Sequence, residues 1–222
     1  MRTTKPLAAA LLALTLALPA LPASAQGPAR QSAAPVAPAK LTAEDAAEVR
    51  RAEEYLGGIK TMRSQFLQVS DDGSVARGTF SLSRPGRMRI DFDPPSKNFI
   101  VADGSFVYFW DAEMKEQSNA PIGSTMADFL LRPDLKLSGD VVVTKVEKGP
   151  GAVEITLAQA KDPGLGRLTL VFEDRPYSLR KWRVLDAQGL TTEVALQNPE
   201  LGVSLDKDLF VFRNPERRKE RD

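Results

Sequence analysis

The stretch from Gly78 to Phe92, Gly-Thr-Phe-Ser-Leu-Ser-Arg-Pro-Gly-Arg-Met-Arg-Ile-Asp-Phe, admits few folds. Read in twos, Phe80 and Leu82 point to one side, and Thr79, Ser81 and Ser83 to the other. After the break at Arg84-Pro85-Gly86, Met88, Ile90 and Phe92 alternate with Arg87, Arg89 and Asp91. Strict alternation of this kind belongs to two half-buried antiparallel strands. Pro85 sets φ for the reversal and Gly86 accepts a positive φ, so the turn has a local cause. Arg84 stands at that corner, and its five-donor guanidinium is costly to bury without acceptors.

The rest of the chain repeats this pattern. Met62–Ser70 reads as a strand, with Met62, Phe66 and Gln68 on one parity and Leu67 and Val69 on the other. Asp71-Asp72-Gly73 supplies its hairpin turn. Asp93-Pro94-Pro95 closes the Met88 strand, since no strand interior tolerates two prolines. Asn98–Ala102 and Phe106–Trp110 follow around Asp103-Gly104. The Phe106–Trp110 segment is apolar on both parities, so something must cover both its faces. Beyond Asp140 a meander runs through Val142–Val146, Val153–Leu157, Leu168–Phe172, Trp182–Val184 and Thr192–Leu196, each bounded by turn residues. The expectation is one large antiparallel sheet of about ten or eleven strands.

Two helices interrupt it. Thr42 is a good N-cap with Asp45 three residues on, and Ala46, Val49, Ala52 and Leu56 form a stripe ahead of Gly57-Gly58. Pro121–Leu131 carries Ser124 and Thr125 as caps, then Met126, Phe129, Leu130 and Leu131, stopped by Pro133. A helix of about two turns is marginal in water and must be held by tertiary contacts. From the residues alone it is equally a movable lid or a plain core cap.

The N-terminus has its own grammar. Arg2 and Lys5 precede an apolar run from Leu7 to Leu18, and Ala23-Ser24-Ala25 follows. This describes a secretory signal peptide over residues 1–25. Residues 26–40, rich in Ala, Pro and Ser, read as a disordered leader. Residues 41–215 form the folded domain, and 216–222 a solvated charge run. The chain has no cysteine, so no acyl-modified anchor, disulfide or thiolate metal site is available to it. It also has no histidine, which removes the commonest general base and transition-metal ligand. Together with the absence of a G-x-S-x-G elbow, this argues against an enzyme, although 29 acidic residues leave a carboxylate dyad open, and no metal or cofactor is expected. A formal charge of +1 gives nothing for nucleic acid to hold.

A mainly β chain with so few helices packs either as two filled sheets, which leave no cavity, or as one curved sheet. A single curved antiparallel sheet, an open half-barrel, has a concave apolar face that short helices fill only in part. A helical lid over a hydrophobic cavity is the expected architecture.

Phe66-Leu-Gln68, the Gly78-to-Pro85 strand and turn, Met88-Arg-Ile90-Asp-Phe92, and Asp103-Gly104 with Val107-Tyr-Phe-Trp110-Asp111 stand in a telling order and spacing. In this the chain resembles the periplasmic outer-membrane lipoprotein carrier family, LolA, over roughly Leu41 to Pro215. Asp208-Leu-Phe210-Val-Phe212 is similar to that family's last strand. The resemblance implies a soluble, monomeric periplasmic carrier with no catalytic residues. Its partners would be acylated lipoproteins, an inner-membrane ATP-driven transporter that releases them, and an outer-membrane receptor or the outer membrane itself. It implies that Arg84 latches the lid through the lid's backbone. Acyl chains would then lie against Phe66, Phe80, Leu82, Met88, Ile90, Phe92, Tyr108, Trp110, Phe129 and Leu130. From the residues alone, Arg84 reads first as a turn arginine paired with an acidic neighbour, and the latch role comes with the resemblance. A lipid- or lipoprotein-binding sensor of the same fold also fits.

The physics suits such cargo. An acyl chain of about 15 methylenes left in water costs on the order of 12 kcal/mol, at about 0.8 kcal/mol per methylene. A soluble carrier has to cover it.

Overall fold

The structure is a computed structural model that describes residues 38–124, 130–133 and 135–216. The expected signal peptide, most of the leader, the charged tail beyond Glu216, and Met126 and Phe129 of the expected lid lie outside the described residues.

One helix, α1 (Ala43–Gly58), precedes the strands. Its N-terminus is a capping box: the Asp45 amide donates to the Thr42 hydroxyl at 3.1 Å, and the Thr42 amide donates back to the Asp45 carboxylate at 3.0 Å. The strands are β1 (Thr61–Ser70), β2 (Val75–Ser83), β3 (Arg87–Phe92), β4 (Phe99–Asp103), β5 (Phe106–Asp111) and β6 (Glu116–Pro121) in the first half. The second half holds β7 (Val141–Gly149), β8 (Ala152–Gln159), β9 (Gly166–Asp174), β10 (Tyr177–Asp186) and β11 (Thr191–Leu201).

All eleven form one sheet in the order β6-β5-β4-β3-β2-β1-β11-β10-β9-β8-β7. Every pairing is antiparallel, and the two halves join where β1 meets β11, with Phe66 opposite Leu196 and Gln68 opposite Val194. The sheet is not closed: β6 and β7 are its two edges. Ala39 donates its amide to the Val143 carbonyl at 2.9 Å, so the chain ahead of α1 covers part of the β7 edge.

Flat, eleven strands at about 4.8 Å would span about 48 Å, while a helix of α1's length covers about 24 Å. Yet one hydrophobic cluster joins Ala52 and Leu56 of α1 to Val107 near one edge and Val141 and Val143 at the other. The sheet therefore curls around a shared core. The concave face carries Met62, Phe66, Phe80, Leu82, Met88, Ile90 and Phe92 from the first half, and Ile155, Leu170, Phe172 and Trp182 from the second. The opposite face of β7–β11 is polar, with Thr156 and Thr169 hydrogen-bonded at 3.0 Å and Arg183 paired to Glu154 at 2.6 Å.

Two glycines serve close approaches. A Cβ at Gly78 would lie 2.0 Å from the Asp91 carbonyl oxygen and 2.7 Å from the Phe66 ring, so the ring packs flat over bare backbone. Gly86 has a φ of 77° and faces the Gly104 Cα, which a Cβ there would approach to 2.9 Å.

The C-terminal segment departs from expectation. Lys207–Phe210 is a 3₁₀ turn, not a strand, because the Asp206 side chain caps it by accepting from the Asp208 amide at 2.9 Å. Phe212 beyond it stacks on Tyr108 with ring centroids 4.8 Å apart, and meets Phe99 at 5.8 Å. This strap covers the convex face of β4 and β5, which accounts for the apolar character of both faces of Phe106–Trp110.

Candidate functional site

The strand directions give the half-barrel two distinct ends. At one lie the β2–β3 corner, the β4–β5 turn, the β7–β8 hairpin and the β9–β10 hairpin. Helix α1 lies across this end. Lys148 pairs with Glu48 at 3.2 Å, Arg51 with Asp174 at 2.8 Å, and Tyr55 meets Tyr177 at 5.8 Å between ring centroids. The hydrogen bond from Arg51 holds the Asp174 carboxyl below its ordinary range.

Arg84 occupies the middle of this end. Its Nε donates to the Leu130 carbonyl at 2.7 Å, and its Nη1 donates to the carbonyls of Leu56 and, at 3.1 Å, Ile59. Leu56 lies in the last turn of α1, where the helix dipole is negative, and its carbonyl also accepts from the Ile59 amide at 3.2 Å; no basic residue of the helix itself is there. One guanidinium thus ties the end of α1 to the chain that follows β6. Burial draws the Arg84 pKa down to about 10, so the group remains charged at neutral pH. Among the described residues no carboxylate is bonded to it. Two further bonds hold the same crossing segment: Gly86 donates its amide to the Leu131 carbonyl at 2.9 Å, and Leu137 donates its amide to the Glu53 carboxylate at 2.7 Å.

The described part of that segment lies on the concave face, between the two edge strands β6 and β7. Leu131, Leu135 and Leu137 are buried in the common core there, and Leu130 packs against that core.

The residues singled out in the sequence divide between the two faces. Phe66, Phe80, Leu82, Met88, Ile90 and Phe92 share the concave face, with Ile90 only 2% exposed. Phe66 meets Phe92 edge-on at 5.6 Å, and Phe80 meets Trp182 at 6.1 Å. Tyr108 and Trp110 do not join them. The pleat of β5 turns Val107 and Phe109 to the core and sends Tyr108 and Trp110 to the convex face, against Phe212 and Phe99. The expectation that both line the concave face is corrected by that parity. Phe129 is outside the described residues.

Several residues of the site escaped the sequence reading. Phe172 and Trp182 sit on the same concave face as Phe66, a placement that requires the pairing of β1 with β11. Glu53 had no signal beyond its place on α1. Gln68 had one: it shares the parity of Phe66 and Met62. It is 1% exposed, and among the described residues neither its amide nitrogen nor its amide oxygen has a hydrogen-bond partner. A buried polar group left so costs about 1–3 kcal/mol. On the convex side an open groove of about 690 Å³ lies between the strap and the sheet, lined by Arg89, Asp91, Phe99, Leu209, Val211 and Arg213 among others.

The family sequence model for "Outer membrane lipoprotein carrier protein LolA" matches residues 57–213. An outer-membrane lipoprotein carrier protein of Methylococcus capsulatus is 28% identical over 174 residues, covering 74% of this chain and 83% of the relative. One from Legionella pneumophila is 28% identical over 184 residues, covering 79% and 89%. Among solved structures, a LolA superfamily protein from Nitrosomonas europaea aligns with a TM-score of 0.44 and 9% identity, over 74% of this chain and 97% of the other.

Proposed function

Because the chain belongs to the outer-membrane lipoprotein carrier family, LolA, we propose that it covers the acyl chains of lipoproteins and carries them through the periplasm to the outer membrane. The observation that carries this reading is the Arg84 guanidinium, which joins α1 to the crossing segment directly over the concave apolar face.

The energies have the right order for a reversible carrier. A charged-donor hydrogen bond contributes about 1.5–3 kcal/mol. That is enough to bias the crossing segment shut when the carrier is empty. It is small beside the ~12 kcal/mol that burying one chain of about 15 methylenes returns. Arriving cargo therefore displaces the latch, and the empty protein closes again over Phe66, Phe80, Leu82, Met88, Ile90 and Phe92. Closure keeps those side chains from water and from other membranes.

The work is periplasmic, and no helix among the described residues is long and apolar enough to cross a membrane. Cargo comes from an inner-membrane ATP-driven transporter and goes to an outer-membrane receptor or to that membrane directly. It leaves chemically unchanged, so the protein acts as a carrier and not as an enzyme.

The test is reconstitution. Vesicles holding a lipoprotein and the releasing transporter are given ATP with and without this protein, and the soluble fraction is assayed. Cargo should appear in solution only when protein and ATP are both present. Cargo that stays with the vesicles in both cases would overturn the reading.

A further inference from the structure

The end of the half-barrel opposite Arg84 carries a second set of features that the latch does not use. There the β1–β2 hairpin turns at Asp71-Asp72-Gly73, and the β10–β11 turn meets it, with the Thr191 amide donating to the Asp71 carboxylate at 3.3 Å. Val69, Val75 and Leu190 at this rim are 38%, 49% and 47% exposed, an apolar edge beside a polar turn. Before the turn, with Val69 and Ser70 between, sits Gln68 on the concave face, its two amide atoms unpartnered among the described residues and 1% of its surface exposed. Around it are Phe66 on its own strand and Val194 opposite, both in the apolar core.

An amide on a surface meant only for hydrocarbon has no use there. Its N–H matches a carbonyl oxygen, and its oxygen matches an N–H. Acyl chains carry such groups at one end only, in the ester or amide that joins them to the rest of the molecule. From Met62 to Gln68 the floor runs six residues, about 20 Å at ~3.4 Å per residue. That holds a chain from one leaflet, about 15 Å or half the ~30 Å hydrocarbon core. The far end is closed by α1 and Arg84.

We propose that Gln68 is the cargo's polar contact: its amide hydrogen-bonds the acyl-linkage carbonyl, so that chains enter tail-first at the β1–β2 rim and run toward Arg84. This rests on the carrier reading and adds to it an orientation and a preference. The protein distinguishes acyl-linked chains from plain alkyl chains, and the tails of bound cargo press on the latch.

The test compares a diacylglyceryl lipopeptide, its N-acylated form and an ether-linked analogue without ester carbonyls, on wild-type protein and on Gln68→Leu. Wild type should hold the ester form about 3- to 10-fold more tightly than the ether form, the range for one hydrogen bond. Gln68→Leu should erase that preference and melt at a higher temperature when empty, since an unpartnered amide has been replaced by hydrocarbon. A preference lost in both acylated arms assigns the ester carbonyl, and one lost only in the N-acylated arm assigns the amide; either supports the proposal. A preference unchanged by Gln68→Leu in both acylated arms overturns it while leaving the carrier reading intact. Failure of wild type to bind any of the three overturns the carrier reading itself. Gln68→Met serves the same comparison should the leucine variant fold poorly. Orientation is read with a photoreactive group at the chain terminus: crosslinks should map to Leu82–Met88, and crosslinks at Gln68–Val75 would refute tail-first entry.

Discussion

Replacing Arg84 by leucine should open the crossing segment without unfolding the sheet. The guanidinium reaches three backbone carbonyls, but only the bond to Leu130 joins it to that segment. At about 1.5–3 kcal/mol for a bond from a charged donor, and tenfold per 1.4 kcal/mol, its loss shifts the open-to-closed ratio about 10- to 150-fold. Gly86 reports on this ratio, because its amide is bonded to the Leu131 carbonyl and is freed when the segment lifts. Amide hydrogen exchange at Gly86 should accelerate by that factor in Arg84→Leu. The Phe66 amide, in central β1, serves as the reference for global unfolding and should change much less. Arg84→Lys keeps the charge but cannot fork to separate carbonyls, so it should fall between the two. Removing the closing bias should also tighten cargo binding and slow its release, by up to the same factor. Gly86 exchange within about threefold of wild type, in a folded Arg84→Leu protein, would refute the latch.

Other expectations follow from the packing. Gly78→Ala should destabilise by about 2–4 kcal/mol in chemical denaturation, because its Cβ meets the Asp91 backbone and the Phe66 ring; a loss under about 0.5 kcal/mol would contradict the close approach. Ile90→Glu places a carboxylate in the concave face and should abolish acyl-lipopeptide binding, so retained affinity in a folded protein would reject that face as the binding surface. Tyr108→Ser removes the stack on Phe212 and should loosen the C-terminal strap to proteolysis while changing lipopeptide affinity less than twofold; a large affinity loss would return Tyr108 to the cargo site.

Much of this was legible because alternation has a period of two and the pleat obeys it. Phe66, Phe80, Leu82, Met88, Ile90 and Phe92 fall on one face as their parity requires, and the Thr42 capping box starts α1 where the residues place it. Parity fails where both phases are apolar. In β5 it could not say whether Val107 and Phe109 or Tyr108 and Trp110 face the core, since what decides is Phe212, a hundred residues away. The same holds for Arg84: its corner position was visible, but its acceptors are backbone carbonyls of Leu56, Ile59 and Leu130, which any side chain would offer. The C-terminal segment resembles the family's last strand, yet Asp206 caps a tighter turn. Gln68 lies on the face its parity requires, but a sequence does not tell which polar groups lack partners.

The most direct measurement is native mass spectrometry of the purified protein mixed with a triacylated lipopeptide. A complex of one chain with one intact cargo, lost in Ile90→Glu, is the expected result. No complex, or a released fatty acid in place of intact cargo, would contradict a carrier that covers acyl chains on the concave face of this sheet.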